Sequence, residues 1–193
     1  MVNQWIRSSL VLCCLLGACA SNATLRPAET SRQTRGVQLK RFALEVQVPS
    51  ENGSGWNLLA NGGALRSGAR YSLALTVEEP LFLYVEQQSA KKTQWRWPLA
   101  GTSAERQSKS QALLIPTQGF LTLDEKPGTE WIHVVAATAP LSEEALRNEM
   151  QRLAQEAARN GAAESNSRNR GEPVWGGLDG RGMGSISFKI EHE

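Results

Sequence analysis

The chain has 193 residues, 40% hydrophobic and 21% charged, which excludes a wholly disordered polymer and fits one domain with tails. Its 21 basic and 19 acidic side chains leave a net charge of +2, too balanced for the electrostatic footprint of a nucleic-acid-binding protein. No apolar run reaches the roughly 18 residues that a membrane-spanning helix needs.

All three cysteines, Cys13, Cys14 and Cys19, fall within the first 19 positions. Met1 to Arg7 is short and polar with one positive charge, and Ser8 to Gly17 is an apolar stretch too short to cross a bilayer, the layout of a secretory signal. The stretch ends in Leu16-Gly17-Ala18-Cys19. Small residues before the cut fit a peptidase cleft, and a cysteine after them supplies the thiol for a thioether-linked diacylglyceryl group. The pattern resembles the bacterial lipobox, which implies cleavage between Ala18 and Cys19, acylation of Cys19, and attachment to the membrane by two or more acyl chains. Ala20, where an Asp would resemble an inner-membrane address, resembles an outer-membrane one facing the periplasm. Residues 1–18 are thus expected to be a signal peptide. Cys13 and Cys14 would leave with it and Cys19 would be consumed by lipid, so the fold gains nothing from disulfides or cysteine-bound metal. Residues 19–36 contain one large apolar side chain, Leu25, and read as a flexible tether.

Residues 37–193 alternate like strands. Leu44, Val46 and Val48 share one face, with Val37 and Leu39 on the other parity and a bulge expected near Lys40–Phe42. A turn over 51–55 leads to a short strand from Trp56 to Ala60, and Asn61-Gly62-Gly63 turns again. Further strands are expected over 70–77, 81–87, 93–99, 112–116 and 120–123. Residues 130–138 are apolar on both faces, the mark of a central buried strand. The period then changes to that of a helix over about 142–160, with Leu146, Met150, Leu153 and Ala157 on one face, Ser142 as N-cap, Leu141 as a staple and Gly161 as terminator. Residues 162–184, rich in Gly, Ser, Asn and Arg, read as a mobile loop apart from Val174 and Trp175. A last strand over 185–191, with Ile186, Phe188 and Ile190 on one face, must return to the sheet to cover them. The expected fold is mainly β: an antiparallel β-sandwich, immunoglobulin-like or related, with one amphipathic helix near its C-terminal end and a final strand returning to the sheet.

Between about Ala64 and Leu141 the order of residues resembles a bacterial domain family known as domain of unknown function 4384. Tyr71-Ser72-Leu73, Pro80-Leu81-Phe82-Leu83-Tyr84, Trp97-Pro98-Leu99 and Ile115-Pro116 carry the resemblance. The most specific piece runs from Phe120 through Asp124-Glu125-Lys126-Pro127-Gly128 into Trp131-Ile132-His133-Val134-Val135-Ala136. Gln87 to Lys92 departs from the Asp/Asn-Gly turn usual there. The resemblance implies a β-rich envelope domain and no known chemistry.

Candidate chemistry is sparse. His133 sits in the buried-looking strand and reads as a core histidine with one hydrogen bond; His192, beside the last residue, is expected to be exposed. No His/Asp/Glu cluster lies close in sequence, so no metal site and no cofactor is expected. Ser108-Lys109-Ser110 reads as ordinary loop composition, Asp124-Glu125 as a solvated hairpin tip, and the glycine-rich run from Gly176 to Gly184 as a flexible linker rather than a phosphate loop. Trp95 and Trp97, at i and i+2, either fill the core or form a platform for a glycan or protein partner, and burial is the favoured alternative. The expectation is a lipid-anchored envelope protein with a non-catalytic interaction domain, held at the membrane through Cys19 and serving an envelope protein partner. The alternatives are an accessory part of a larger envelope machine such as a secretion system, and a cell-wall hydrolase, for which the sequence offers no nucleophile–base pair.

Overall fold

The computed structural model describes residues 42–89, 92–98, 103–108, 112–160 and 171–193. The expected signal, the lipobox, the tether and the bulge near Lys40 lie outside them.

Alternation of apolar side chains produces two sheets that share one core. In the first sheet, β1 (Phe42–Pro49) lies between β4 (Arg70–Val77) and a shared edge formed by β2 (Trp56–Leu59) and β11 (Val174–Gly176), while β8 (Leu113–Ile115) and β9 (Leu121–Thr122) add to the far side of β4. The second sheet runs β3 (Gly63–Leu65), β12 (Met183–His192), β10 (Gly128–Ala137), β5 (Leu81–Ser89), β6 (Thr93–Trp97), with β7 (Arg106–Gln107) on β5. All pairings are antiparallel except β3 on β12. Phe42, Leu44 and Val46 from β1 and Leu73 and Leu75 from β4 meet Leu83, Val85, Ile132, Val134, Phe188 and Ile190 between the sheets, all buried.

The outer face of the second sheet is covered by α1 (Glu143–Asn160). Its stripe of Leu146, Met150 and Leu153 packs on Tyr84 and Val135, so β10 is covered on both faces, as its continuous apolar run requires. Ser142 caps the helix, its Oγ accepting from the Ala145 N–H at 3.1 Å, and the Leu141 N–H donates to the Tyr84 hydroxyl at 2.8 Å. Arg96 on β6 bridges Glu86 on β5 at 2.7 Å and Glu143 at 2.9 Å, tying the sheet to the acidic first turn of the helix.

Three stretches depart from expectation. The part of the 162–184 loop that is described is ordered. β11 joins the first sheet through Phe42↔Gly176 and Leu44↔Val174, and a turn at Asp179–Gly182 feeds β12, with Gly182 at φ +74°. Glycine is needed here for space rather than flexibility: a Cβ on Gly176 would strike the Phe42 ring and come within 2.8 Å of Ile186 Cγ1. β3 and β7 are too short for alternation to reveal them.

Gly176→Ala should therefore destabilise the domain by about 1–3 kcal/mol through overpacking, read as a lowered denaturation midpoint. A linker glycine would show no change.

Candidate functional site

The inward-facing rows of the sandwich stay apolar along most of their length and turn polar at one end. On β4 the row ends in Tyr71, on β5 in Gln87, on β6 in Trp95, on β10 in Glu130 and on β12 in His192. Gln87 links them. Its Oε1 accepts from both the Tyr71 hydroxyl and the Trp95 indole N–H, and its Nε2 donates to Glu130 Oε2 at 3.3 Å. Two lone pairs and one N–H are thus used, which makes the amide's burial tolerable. Burial pushes the Tyr71 phenol up, keeping it a donor. The Glu130 carboxyl is also raised, chiefly by desolvation and secondarily by the Asp124 charge, against opposing contributions from Gln87 and His192.

His192 is buried at 4% exposure, which corrects the expectation of an exposed terminal side chain. It continues the inward parity of Ile186, Phe188 and Ile190, a signal visible in the sequence but overridden by proximity to the last residue. Its Nε2 lies 3.0 Å from Ser67 Oγ, and Ser67 Oγ donates to the Glu193 carbonyl at 3.4 Å. The Ser67 hydroxyl thus engages the Nε2 side of the ring. Nδ1 is fully buried, has no hydrogen-bond partner among the described residues, and faces Asp124 Oδ1 at 3.9 Å.

Folding thus brings together a His/Asp/Glu cluster that sequence spacing does not show: ligand-competent atoms of Asp124, Glu130 and His192 lie within 4.8 Å of one another. Asp124 is partly exposed and lies in the connection that crosses from β9 in the first sheet to β10 in the second; the two strands do not pair with each other, which corrects the expectation of a hairpin tip. Its Oδ1 accepts from the Lys126 N–H at 2.9 Å and its Oδ2 from Gln94 Nε2 at 3.4 Å. Asp124 and Glu130 also line a cavity of about 310 Å³, with Lys92, Gln94, Lys126 and Thr129 around it.

Ser67, His192 and Asp124 superficially suggest a nucleophile triad, but the geometry does not serve acyl transfer. The N–H groups of Ser67, Gly68 and Ala69 are committed to the carbonyls of Glu193, Leu123 and Arg66, so none of these three serves as an oxyanion donor beside the hydroxyl. At 3.9 Å, Asp124 makes no orienting hydrogen bond to His192.

Trp95 and Trp97 face inward at the β6 edge, half-buried against the core rather than stacked as an outer platform. Trp97 lines a second cavity of about 390 Å³ with Glu105, Gln107, Leu113, Leu114 and Thr117. A different aromatic group is exposed, one the sequence reading did not single out. Trp56 and Phe120 lie 5.4 Å apart between ring centroids, 49% and 41% exposed, and Arg70 sits over the Phe120 ring at 5.7 Å.

His133 lies on the helix-facing side of β10, fully buried. Its Nδ1 is 2.8 Å from Ser187 Oγ, Nε2 has no hydrogen-bond partner among the described residues, and the ring stacks with Trp131. Desolvation lowers its pKa to about 4, opposed by the neighbouring Glu86. The folded state thus refuses a proton that the unfolded chain accepts below its ordinary pKa of 6.5.

No protein family, no curated protein and no solved structure matches the chain.

Stability from His133 should be intact above its unfolded pKa and lost as pH falls. The loss amounts to about 2–3 kcal/mol between about pH 7 and pH 4.5. Denaturant unfolding should show that decline in the wild type and a shallower one in His133→Gln; equal slopes would contradict it.

Proposed function

We propose that the chain is a bacterial lipoprotein, held at the periplasmic face of the outer membrane by acyl chains on Cys19, and that its β-sandwich is a non-catalytic module binding another envelope protein. Leu16-Gly17-Ala18-Cys19 after an apolar stretch supports the anchor. No helix among the described residues is long and apolar enough to span a membrane, so a lipid is the attachment this reading relies on.

The observation that carries the binding half is the exposed Trp56–Phe120–Arg70 group. Trp and Arg are the side chains most enriched at protein-interface hot spots, because each offers a large contact area with a polar handle. Leu58 and Leu114, exposed on the same sheet, extend the apolar character of that face. Committed N–H groups around Ser67 favour a binding role over hydrolysis of cell-wall material. In this reading the protein is an accessory part of a larger envelope assembly, and residues 19–36 give the domain reach from the membrane.

Cys19→Ser should abolish palmitate incorporation and release the protein from the membrane fraction; retained label would refute the lipoprotein reading. A photoreactive group at position 120 should give a discrete crosslinked adduct in intact cells that Trp56→Ala suppresses. An adduct indifferent to Trp56 would contradict this binding surface.

A further inference from the structure

We propose that Asp124, Glu130 and His192 form a binding site for a divalent transition-metal ion of the zinc class. Donor chemistry supports the assignment. His192 Nδ1 offers a lone pair, Asp124 and Glu130 offer carboxylate oxygens, and the three atoms lie within 4.8 Å of one another, a separation that one ion can bridge after small side-chain adjustments.

An independent observation comes from the histidine's partners. The Ser67 hydroxyl, 3.0 Å from Nε2, engages that side of the ring and leaves Nδ1 turned toward the carboxylates. Metal-bound histidines are oriented in this way, one ring nitrogen held by an outer partner and the other facing the ion. Nδ1 is a buried polar atom with no hydrogen-bond partner among the described residues, it is aimed at an aspartate oxygen 3.9 Å away, and an ion held between the two would satisfy both. The carboxylates are likewise prepared. Gln87 Nε2 holds one Glu130 oxygen, and Gln94 Nε2 and the Lys126 N–H hold the two oxygens of Asp124.

Three protein donors leave a zinc-class ion with an open position. Asp124 and Glu130 line the 310 Å³ cavity, so that position faces it, with Lys92 and Lys126 nearby. A water or an anionic group of a ligand completes the coordination there. The nitrogen donor selects zinc over calcium, which takes oxygen ligands almost exclusively.

The test is calorimetric titration of Zn2+ into the full-length chain with Cys13, Cys14 and Cys19 replaced by serine, so that no thiol competes. One ion per chain should bind, and more tightly than Ca2+. Asp124→Asn, at a partly exposed position that leaves the core intact, should weaken binding by at least about tenfold, and so should His192→Ala. Ser67→Ala, which removes only the outer partner of the imidazole, should weaken it by about 10–100-fold. Circular dichroism of each variant separates lost ligation from lost folding. Absence of Zn2+ binding to the wild-type side chains, binding unchanged in folded Asp124→Asn, or preference for Ca2+ would each overturn the proposal. None of these outcomes bears on Cys19 or on the Trp56–Phe120 face.

Discussion

The side-chain amide of Gln87 is the constraint on which one end of this sandwich depends. Five strands deliver polar side chains to the inward-facing layer there, and a low-dielectric interior penalises every polar atom left without a partner. Gln87 meets that demand by accepting from Tyr71 and Trp95 with its oxygen and donating to Glu130 with its nitrogen. The network spans both sheets, from β4 in one to β5, β6 and β10 in the other. The core between the sheets is otherwise an apolar cluster; here directional bonds join the two sheets and hold the end of the sandwich at which Glu130 and His192 face Asp124.

Much of the architecture was legible because the chain alternates cleanly. Leu73, Leu75 and Val77, then Leu81, Leu83 and Val85, then Ile186, Phe188 and Ile190, each declare one buried face, and all nine are buried. The helix was legible for the same reason at a different period, with Ser142 marking its start. The misjudged glycine run shows the limit of composition: Gly176 and Gly184 look like a linker, yet each lies where a Cβ would collide with Phe42 or with the Gly177 backbone. That information resides in the partner strand. β3, three residues long and parallel to β12, carries no pattern of its own and exists because Ile190 and His192 have a free edge.

The site was hidden for a physical reason. Ser67, Asp124, Glu130 and His192 come from four separate elements, and nothing in their spacing links them. Two of them were nevertheless marked: Glu130 continues the inward row of Ile132 and Val134, and His192 the row of Phe188 and Ile190. A charged or titratable residue that keeps an apolar row's parity is a buried group in need of partners. Such a break in the binary pattern marks a place where local sequence preference yields to a demand other than packing. The aromatic group at Trp56 and Phe120 is the converse case, large apolar side chains left outside the core while Trp95 and Trp97 are drawn into its edge. Two regions thus stand apart on one scaffold: a polar end that gathers His192, Glu130 and Asp124, and an open aromatic face around Trp56 and Phe120.

The state of the His192 ring tests the account most directly. Nitrogen-15 NMR of the imidazole should show the Nδ1 signal shifting strongly when Zn2+ is added, with a much smaller change at Nε2, which Ser67 holds. Signals from both ring nitrogens indifferent to Zn2+ would contradict it.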